Sequence, residues 1–247
     1  MKILVTGANG FIGKHLVAEL KKLDLSEIYM VDRITPSGSF DKYCSDCDFV
    51  YHLAEFGMSL NELKPTGDNG NLTNLLLSNL KKFQNTCPVL FTSSIYAVMN
   101  TPYGRSIKTL EDLLSTYKRE TKSKVYIYRL PDIFGDGCMP NHTNIIAAFC
   151  YNIARGKEIY LDNPKTVLKL IYIKDLIDQL LQVLKEENNS DSHIITVKEM
   201  VSLTLGEIAD LIRIFQKCQE YKVNLPLVDP FIKKLYDTFL SYLPNKQ

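Results

Sequence analysis

Three glycines, Gly7-x-x-Gly10-x-x-Gly13, lie between the apolar segment KILVT at residues 2–6 and a helical pattern running from Lys14 to Leu23. A short β-branched run that breaks into a Gly-rich turn and then into 3.6-residue periodicity predicts a buried strand followed by a helix. The first glycine permits a tight turn and the second lets backbone approach a pyrophosphate. The third allows close helix–strand packing, and the helix N-terminus favours negative charge. A second strand is predicted over Glu27 to Val31, and Asp32 follows it, 19 positions past Gly13. Two parallel strands joined by a helix require a right-handed crossover and a sheet covered on both faces.

Asp32 and Arg33 point to different dinucleotides. A carboxylate at the end of the second strand accepts hydrogen bonds from a ribose diol and repels a 2′-phosphate, which selects NAD. An adjacent arginine pairs with that phosphate and selects NADP. The residues leave NADH and NADPH both open.

The polar stretch from Ile34 to Asp46 reads as too short for a βα unit of its own. Strands are predicted at Asp48–Ala54, Pro88–Thr92 and Val125–Arg129, and helices at Asn71–Phe83 and Arg105–Thr121, with a loop over residues 55–68. After Pro131 the pattern becomes irregular. A Gly/Pro/Asn-rich loop covers Phe134 to Thr143, and a helix from Asn144 to Arg155 ends at Gly156. Short strands are predicted at Glu158–Leu161 and Val167–Tyr172, a helix at Ile173–Lys185, a polar connection over 186–200, and helices at Ser202–Cys218 and Phe231–Tyr242. Alternating strands and helices predict an α/β fold, a doubly wound parallel sheet of the Rossmann type over residues 1–130. Residues 131–247 would form mainly a small C-terminal substrate lobe, with some segments returning to the core.

With 29 basic and 28 acidic residues, the chain carries no charge excess that would argue for nucleic acid or a membrane surface. No apolar run approaches the ~20 residues that span a bilayer. The N-terminus is unlike a signal peptide, so a cytoplasmic protein is expected. The six cysteines are scattered apart from Cys44 and Cys47. A single CxxC with no second pair completes no zinc site, so no metal is expected and two reduced thiols on a helix or loop are. His52 falls inside a strand pattern and reads as structural.

Candidate chemistry gathers in FTSSIYAVMNTPYGRSIK, Phe91 to Lys108. A strand ending at Ser94 and a helix opening at Tyr103 put two hydroxyls at the carboxyl edge of the sheet, where both can reach one carbonyl. Free tyrosine, with a pKa of about 10, is a poor acid–base catalyst near neutrality, and a neighbouring cation lowers that value. A lysine one helical turn past the tyrosine would supply the cation. Position 107 is isoleucine, and the lysine is Lys108.

The glycine turn, DFVYHLA, the TSS strand end and Tyr103, in this order and spacing, resemble the extended short-chain dehydrogenase/reductases. YGRSIKTLEDLL, YRLPDIFG, CMPNHTNIIAAFCYNIARG, LTLGEIADLI and LYDTFLSYLP narrow the resemblance to the reductase half of the CapF-type capsular-polysaccharide enzymes, over essentially all 247 residues. It implies an NADPH- or NADH-dependent reductase of the 4-keto group of a UDP-2-acetamido-2,6-dideoxy-hexulose, with NADP favoured by the family. Hydride would come from the nicotinamide, with Ser94 polarising and Tyr103 protonating the carbonyl. The implied cofactor set is Gly7, Asn9, Gly10, Phe11, Ile12, Gly13, Asp32, Arg33, Leu53, Ala54, Thr92, Tyr103, Leu130 and Pro131. The implied substrate set is Ser94, Asp132, Pro140, Asn141 and Asn144, with UDP expected at the last three. Tyr172 and Asp175 match the family's Y-[VI]-x-D motif, anchoring lobe to core, while Arg155 and Lys169 read as surface charges or diphosphate ligands. A homodimer built on the helices at 71–83 and 105–121 is also implied.

The chain departs from that pattern in three places. It ends at LPNKQ, where those enzymes' cupin domain begins, so no epimerase activity or metal is carried over. Glu55 stands where the family tends to have glycine after HLA, and Ile107 replaces the YxxxK lysine. On a helix, i+5 is rotated about 140° from i, so Lys108 joins Ser94 and Tyr103 as a catalytic candidate only if a π-bulge returns it. Otherwise the lysine's contributions are lost, about 10²–10⁴ in rate. The alternatives are a catalytically impaired homologue that binds cofactor or sugar nucleotide as a partner, and an epimerase or dehydratase on the same scaffold. Ile95 and Tyr96 replace the acidic pair that dehydratases add beside the serine.

Overall fold

In the computed structural model, which describes all residues except 24–26, 33–34, 54–67, 141–143, 186–193, 224–227 and 245–247, the chain divides into two compact units. The first comprises Met1–Leu130 and Leu180–Val197. Its strands are β1 (Lys2–Thr6), β2 (Glu27–Val31), β3 (Phe49–His52), β4 (Val89–Ser94), β5 (Val125–Leu130) and β8 (Ile194–Thr196). They form one sheet in the order β2-β1-β3-β4-β5-β8, and every pairing is parallel. All residues of β3 and β4 are buried, as strands covered on both faces must be. The order reverses at β1, which lies between β2 and β3. In a doubly wound sheet that switch point, at the strands' carboxyl ends, opens the ligand crevice.

The helices of this unit are α1 (Phe11–Leu20), α2 (Ser37–Asp46), α3 (Asp68–Lys82) and α4 (Pro102–Thr121), and α6 (Ile173–Lys185) enters it from Leu180 onward. Leu76, Leu77 and Leu80 of α3 and Leu110, Leu114 and Tyr117 of α4 pack on Leu4, Val50, Val89, Phe91 and Ile127 of the sheet. Fully burying one such aliphatic side chain contributes about 1.5–3 kcal/mol.

Ile34–Asp46 is not too short for a crossover, contrary to the sequence expectation. Its residues from Ser37 form α2, which buries Phe40 and Cys44 one helical turn apart. The segment has few aliphatic residues, which is why its period is weak in sequence. The helix predicted from Asn71 starts by Asp68, and the one predicted from Arg105 starts at Pro102, a favourable first-turn proline.

The second unit comprises Pro131–Gln179 and Lys198–Gln247. Its strands β6 (Asp132–Phe134), β7 (Val167–Tyr172) and β9 (Val201–Thr204) form a small sheet in the order β6-β7-β9, with β6 parallel and β9 antiparallel to β7. Helices α5 (Ile145–Ile153), α7 (Leu205–Tyr221) and α8 (Pro230–Ser241) pack beside it around Phe149, Ile208, Ile212, Phe215, Leu235 and Phe239. Two sequence expectations fail in this unit. Glu158–Leu161 is not a strand, and Ser202–Thr204 belongs to β9 rather than to the following helix. Thr204 ends the strand because its side chain caps α7 in a reciprocal box with Glu207. Among the described residues no helix is long and apolar enough to cross a membrane.

Candidate active site

The β1–α1 turn is built by backbone. Gly7 adopts a left-handed φ of 72°, its N–H donates to Val31 O (3.0 Å), and its carbonyl accepts from Gly10 N (2.9 Å). At Gly13 a Cβ would lie 2.2 Å from Gly7 O and 2.8 Å from Ala8 backbone, so α1 approaches β1 as closely as only glycine allows. The N-cap of α1 is Gly10, with no side-chain cap and no acidic residue in the first turn. Helices α4, α5, α7 and α8 are instead capped by Thr101, Asn144, Thr204 and Asp229. The amide groups at the start of α1 therefore suit an external anion.

Asp32 sits directly after β2 at this turn. Its Oδ2 accepts from Asn9 Nδ2 (2.6 Å) and its Oδ1 from Thr35 Oγ1 (3.2 Å), while Thr35 Oγ1 also accepts from Asp32 N (3.0 Å). The carboxylate is held where an adenosine ribose would lie in a βαβ dinucleotide fold. Thr92 Oγ1 on β4 is buried with no hydrogen-bond partner among the described residues, which also fits a ligand arriving at this edge. Together these features fit a dinucleotide. Phe11 and Ile12 are half-buried in the first turn of α1, with Phe11 edge-on to His15. Leu53 is buried after β3, and its N–H donates to Thr6 O (3.1 Å). Arg33, Ala54, Glu55 and Asn141 lie outside the described residues.

Ser94 is the last residue of β4, paired in register with Leu130. Its Oγ accepts from Tyr96 N (3.2 Å), which leaves the hydroxyl proton to donate. A 3₁₀ turn (Ile95–Val98) leads to α4, whose second residue is the half-buried Tyr103. Gly104 brings the helix onto the turn, since a Cβ there would lie 2.2 Å from Met99 O and 2.6 Å from Tyr96 O. Sequence reasoning missed Gly104, although its place directly after the tyrosine was a usable signal.

Ile107 is fully buried on the sheet-facing side of α4. The helix is uninterrupted from Pro102 to Thr121, so no π-bulge re-aims Lys108. Lys108 Nζ lies 2.5 Å from Asp112 Oδ1 and 3.8 Å from Glu111 Oε2, on a side chain 46% exposed. The expectation that it joins Tyr103 is corrected by this geometry. Also unforeseen is the wholly buried Glu111, which accepts from Ser93 Oγ (2.6 Å) and, bidentately, from Arg129 Nε (2.8 Å) and Nη2 (2.7 Å). Burial works to raise its carboxyl, but the bonds from Arg129 and Ser93 outweigh it and hold the pKa below the ordinary value. Strand alternation turns Ser93 to α4, and Thr92 and Ser94 to the opposite face.

In the second unit, Pro131 is buried, Asp132 is half-buried on β6, and Pro140 is exposed. Asn144 Oδ1 accepts from Ala147 N (2.9 Å) and its Nδ2 donates to Ile133 O (2.8 Å), so its amide caps α5. Arg155 donates to Tyr242 O (2.9 Å) and stacks on Tyr151, a structural rather than a ligand-facing arrangement. Asp175 pairs with Lys234 of α8 (2.5 Å), so the motif ties elements within this unit, where an anchor to the core was expected. Lys169 is exposed. His52 is fully buried, bonded to Thr6 Oγ1 through Nδ1 (2.6 Å) and to Thr73 Oγ1 through Nε2 (2.8 Å), a structural role. Burial lowers its pKa to about 4. No group of three or more His, Cys, Asp or Glu among the described residues is arranged to hold a metal ion.

The family profile described as NAD dependent epimerase/dehydratase matches residues 3–197. The chain belongs to this family. It is 30% identical over 245 residues to a UDP-2-acetamido-2,6-beta-L-arabino-hexul-4-ose reductase of Pseudomonas aeruginosa, covering 99% of this chain and 66% of that protein. Its fold is similar to the crystal structure of the capsular polysaccharide assembling protein CapF from Staphylococcus aureus, with a TM-score of 0.85 and 34% identity over 99% of this chain and 65% of that one. The family member thus spans about two thirds of the length of these two relatives. UDP-glucose 4-epimerase of Thermotoga maritima shares the fold at 18% identity, with a TM-score of 0.79 over 98% of both chains.

Proposed function

We propose that the protein is an NAD(P)-dependent reductase of the 4-keto group of a UDP-linked 2-acetamido-2,6-dideoxy-hexulose. The observation that carries this reading is the placement of Ser94 and Tyr103, on consecutive elements β4 and α4, at the same sheet edge as an uncapped dinucleotide turn. The Pseudomonas aeruginosa reductase supports the substrate class. When bound, the reduced nicotinamide supplies the hydride. Ser94 Oγ, fixed by Tyr96 N–H, donates a hydrogen bond to the ketone oxygen, and the Tyr103 hydroxyl delivers the proton to it. Gly7, Gly10 and Gly13 form the pyrophosphate turn, and Asp32 takes the adenosine ribose. Asn9 and Thr35 bond the Asp32 carboxylate, which supports NADH as the preferred reductant, since a 2′-phosphate at the second strand's end would meet that charge.

A second reading rests on Ile107. With an aliphatic side chain where a cation would lower the Tyr103 pKa, a cofactor- and sugar-nucleotide-binding partner of an active enzyme is the competing function.

Incubating the purified chain with the UDP-linked 4-keto sugar and NADH or NADPH separates the two. Consumption of reduced cofactor together with the 4-hydroxy product supports the reductase. Dinucleotide binding by calorimetry with no turnover, in the parent and in Ile107→Lys alike, supports the partner. Absence of both binding and turnover overturns both.

A further inference from the structure

Three of the six cysteines meet far from the catalytic edge. Cys44 lies in the last turn of α2, Cys47 is its C-cap, and Cys87 stands two residues before β4; all three are buried. Cys47 Sγ and Cys87 Sγ are 3.7 Å apart, although 40 positions separate them in sequence. One residue holds the two segments in this register. Asn85 Nδ2 donates to Cys44 O (2.9 Å) and Cys47 O (2.8 Å), and Asn85 Oδ1 accepts from Cys87 N (2.9 Å). Tyr117 of α4 closes the arrangement by donating its hydroxyl proton to Asn85 O (3.3 Å).

We propose that Cys47 and Cys87 are an oxidative modification site, a dithiol that a small disulfide or diazene oxidant converts to an intramolecular disulfide. Bond formation shortens the sulfur separation from 3.7 Å to about 2.05 Å. With a low-molecular-weight disulfide, one cysteine thiolate attacks and expels a thiol, and the second cysteine attacks the mixed disulfide and expels the other thiol. Two electrons pass to the oxidant, and the two cysteine protons end on the two expelled thiols. With diamide, the N=N bond takes up both electrons and both protons and becomes a hydrazine. The hydrogen bond with Cys47 and burial raise the Cys87 thiol well above the ordinary value. Oxidation is therefore slow at neutral pH and accelerates as pH rises.

The competing partner for Cys47 is Cys44 in the CxxC spacing. Burial pushes the Cys44 thiol up to about 12, and Cys47 Sγ faces the Cys44 carbonyl oxygen at 4.0 Å. The Cys47–Cys87 bridge would pin the incoming ends of β3 and β4 together. Ser94 is seven residues beyond Cys87 along an extended strand, about 23 Å away, so the bridge acts on stability and leaves the hydroxyl pair in place.

The test is diamide treatment of the full chain at mildly alkaline pH, followed by alkylation under denaturing conditions and peptide mass mapping. The expected result is a Cys47–Cys87 linked peptide, with Cys44, Cys138, Cys150 and Cys218 alkylated. A rise in Tm on the order of 5 °C, reversed by reductant, should accompany it. Cys44→Ser should retain the bridge and the rise, and Cys87→Ala should lose both. Alkylation of Cys47 and Cys87 as free thiols, or a Cys44–Cys47 link, overturns the proposal. The mapping is done on the unsubstituted chain, so it stands even where a variant fails to fold.

Discussion

The β1–α1 and β4–α4 turns share one packing device and differ in chemistry. In both, a helix is drawn onto preceding backbone so tightly that an added Cβ would lie 2.2 Å from a carbonyl oxygen, Gly7 O in one and Met99 O in the other. The first turn carries an uncapped helix start, a left-handed Gly7 and a fixed Asp32, which fit the dinucleotide of the proposed function. The second carries the serine and tyrosine of the proposed reaction, and the buried Ile107 stands one helical turn past the tyrosine. Close packing at a helix start is thus separable from the charge placed beside it.

The largest expected effects come from adding a methyl at each turn. Gly13→Ala should weaken dinucleotide binding on the order of 100-fold, about 2.7 kcal/mol, because the new Cβ meets backbone at the pyrophosphate turn. Gly104→Ala should change that affinity far less than Gly13→Ala and lower the reductase rate on the order of 100-fold, since displacing Tyr103 by about 1 Å suffices for such a loss. Calorimetry and steady-state rates on both variants check the contrast. Loss of cofactor affinity in Gly104→Ala would show that the two turns are not independent.

Restoration of charge should have an effect of similar size. Ile107→Lys should raise the reductase rate about 100-fold and move the alkaline limb of its pH profile to lower pH, because a cation beside Tyr103 stabilises the phenolate. Lys108→Ala removes the neighbouring lysine and should change the rate less than about twofold, since its ammonium serves Asp112 at the surface. A large loss in Lys108→Ala would return that lysine to the catalytic group.

The same contrast governs what sequence could reveal. The glycine spacing, the strand before it and Asp32 are local signals, and the β1–α1–β2 unit was legible from them. Ser94 and Tyr103 were legible because a strand end and a helix start are local too. Glu111 was not: its pairing with Ser93 and Arg129 joins three elements 18 residues apart in each case, and nothing local marks a glutamate as wholly buried. α2 escaped because Phe40 and Cys44 give too thin an apolar stripe to register as a helical period. The Ser202 start for α7 failed for the opposite reason, because β9 passes into Thr204 without a break in apolar pattern. Asn144 entered the substrate set through the resemblance alone, and its cap of α5, made by bonds to Ala147 and Ile133, was not foreseen.

A smaller effect tests cofactor choice. Asp32→Ala should weaken NADH binding about tenfold and narrow the preference over NADPH by a similar factor, equivalent to about 1.4 kcal/mol. Titrating both dinucleotides against the variant checks this. An unchanged ratio would show that the Asn9–Asp32 pair does not select between them.

The smallest expected effect concerns the buried histidine beside the first turn. His52 bonds Thr6, the last residue of β1, and burial lowers its pKa from 6.5 to about 4. The folded protein therefore holds this imidazole neutral, while the unfolded chain takes up its proton as pH falls below about 6.5. The unfolded state binds more protons in that window, so stability rises with pH there, and the contribution present above pH 6.5 is lost progressively down to about 4. Between about pH 7 and 5.5 the loss should be on the order of 1 kcal/mol. Urea unfolding at the two pH values measures it, and His52→Gln should flatten that part of the dependence while lowering stability throughout. Dinucleotide affinity should fall in parallel on acidification if strand β1 loosens first. His52 stands on β3, in register with Phe91 of β4 three residues before Ser94, so the serine strand borders the same histidine.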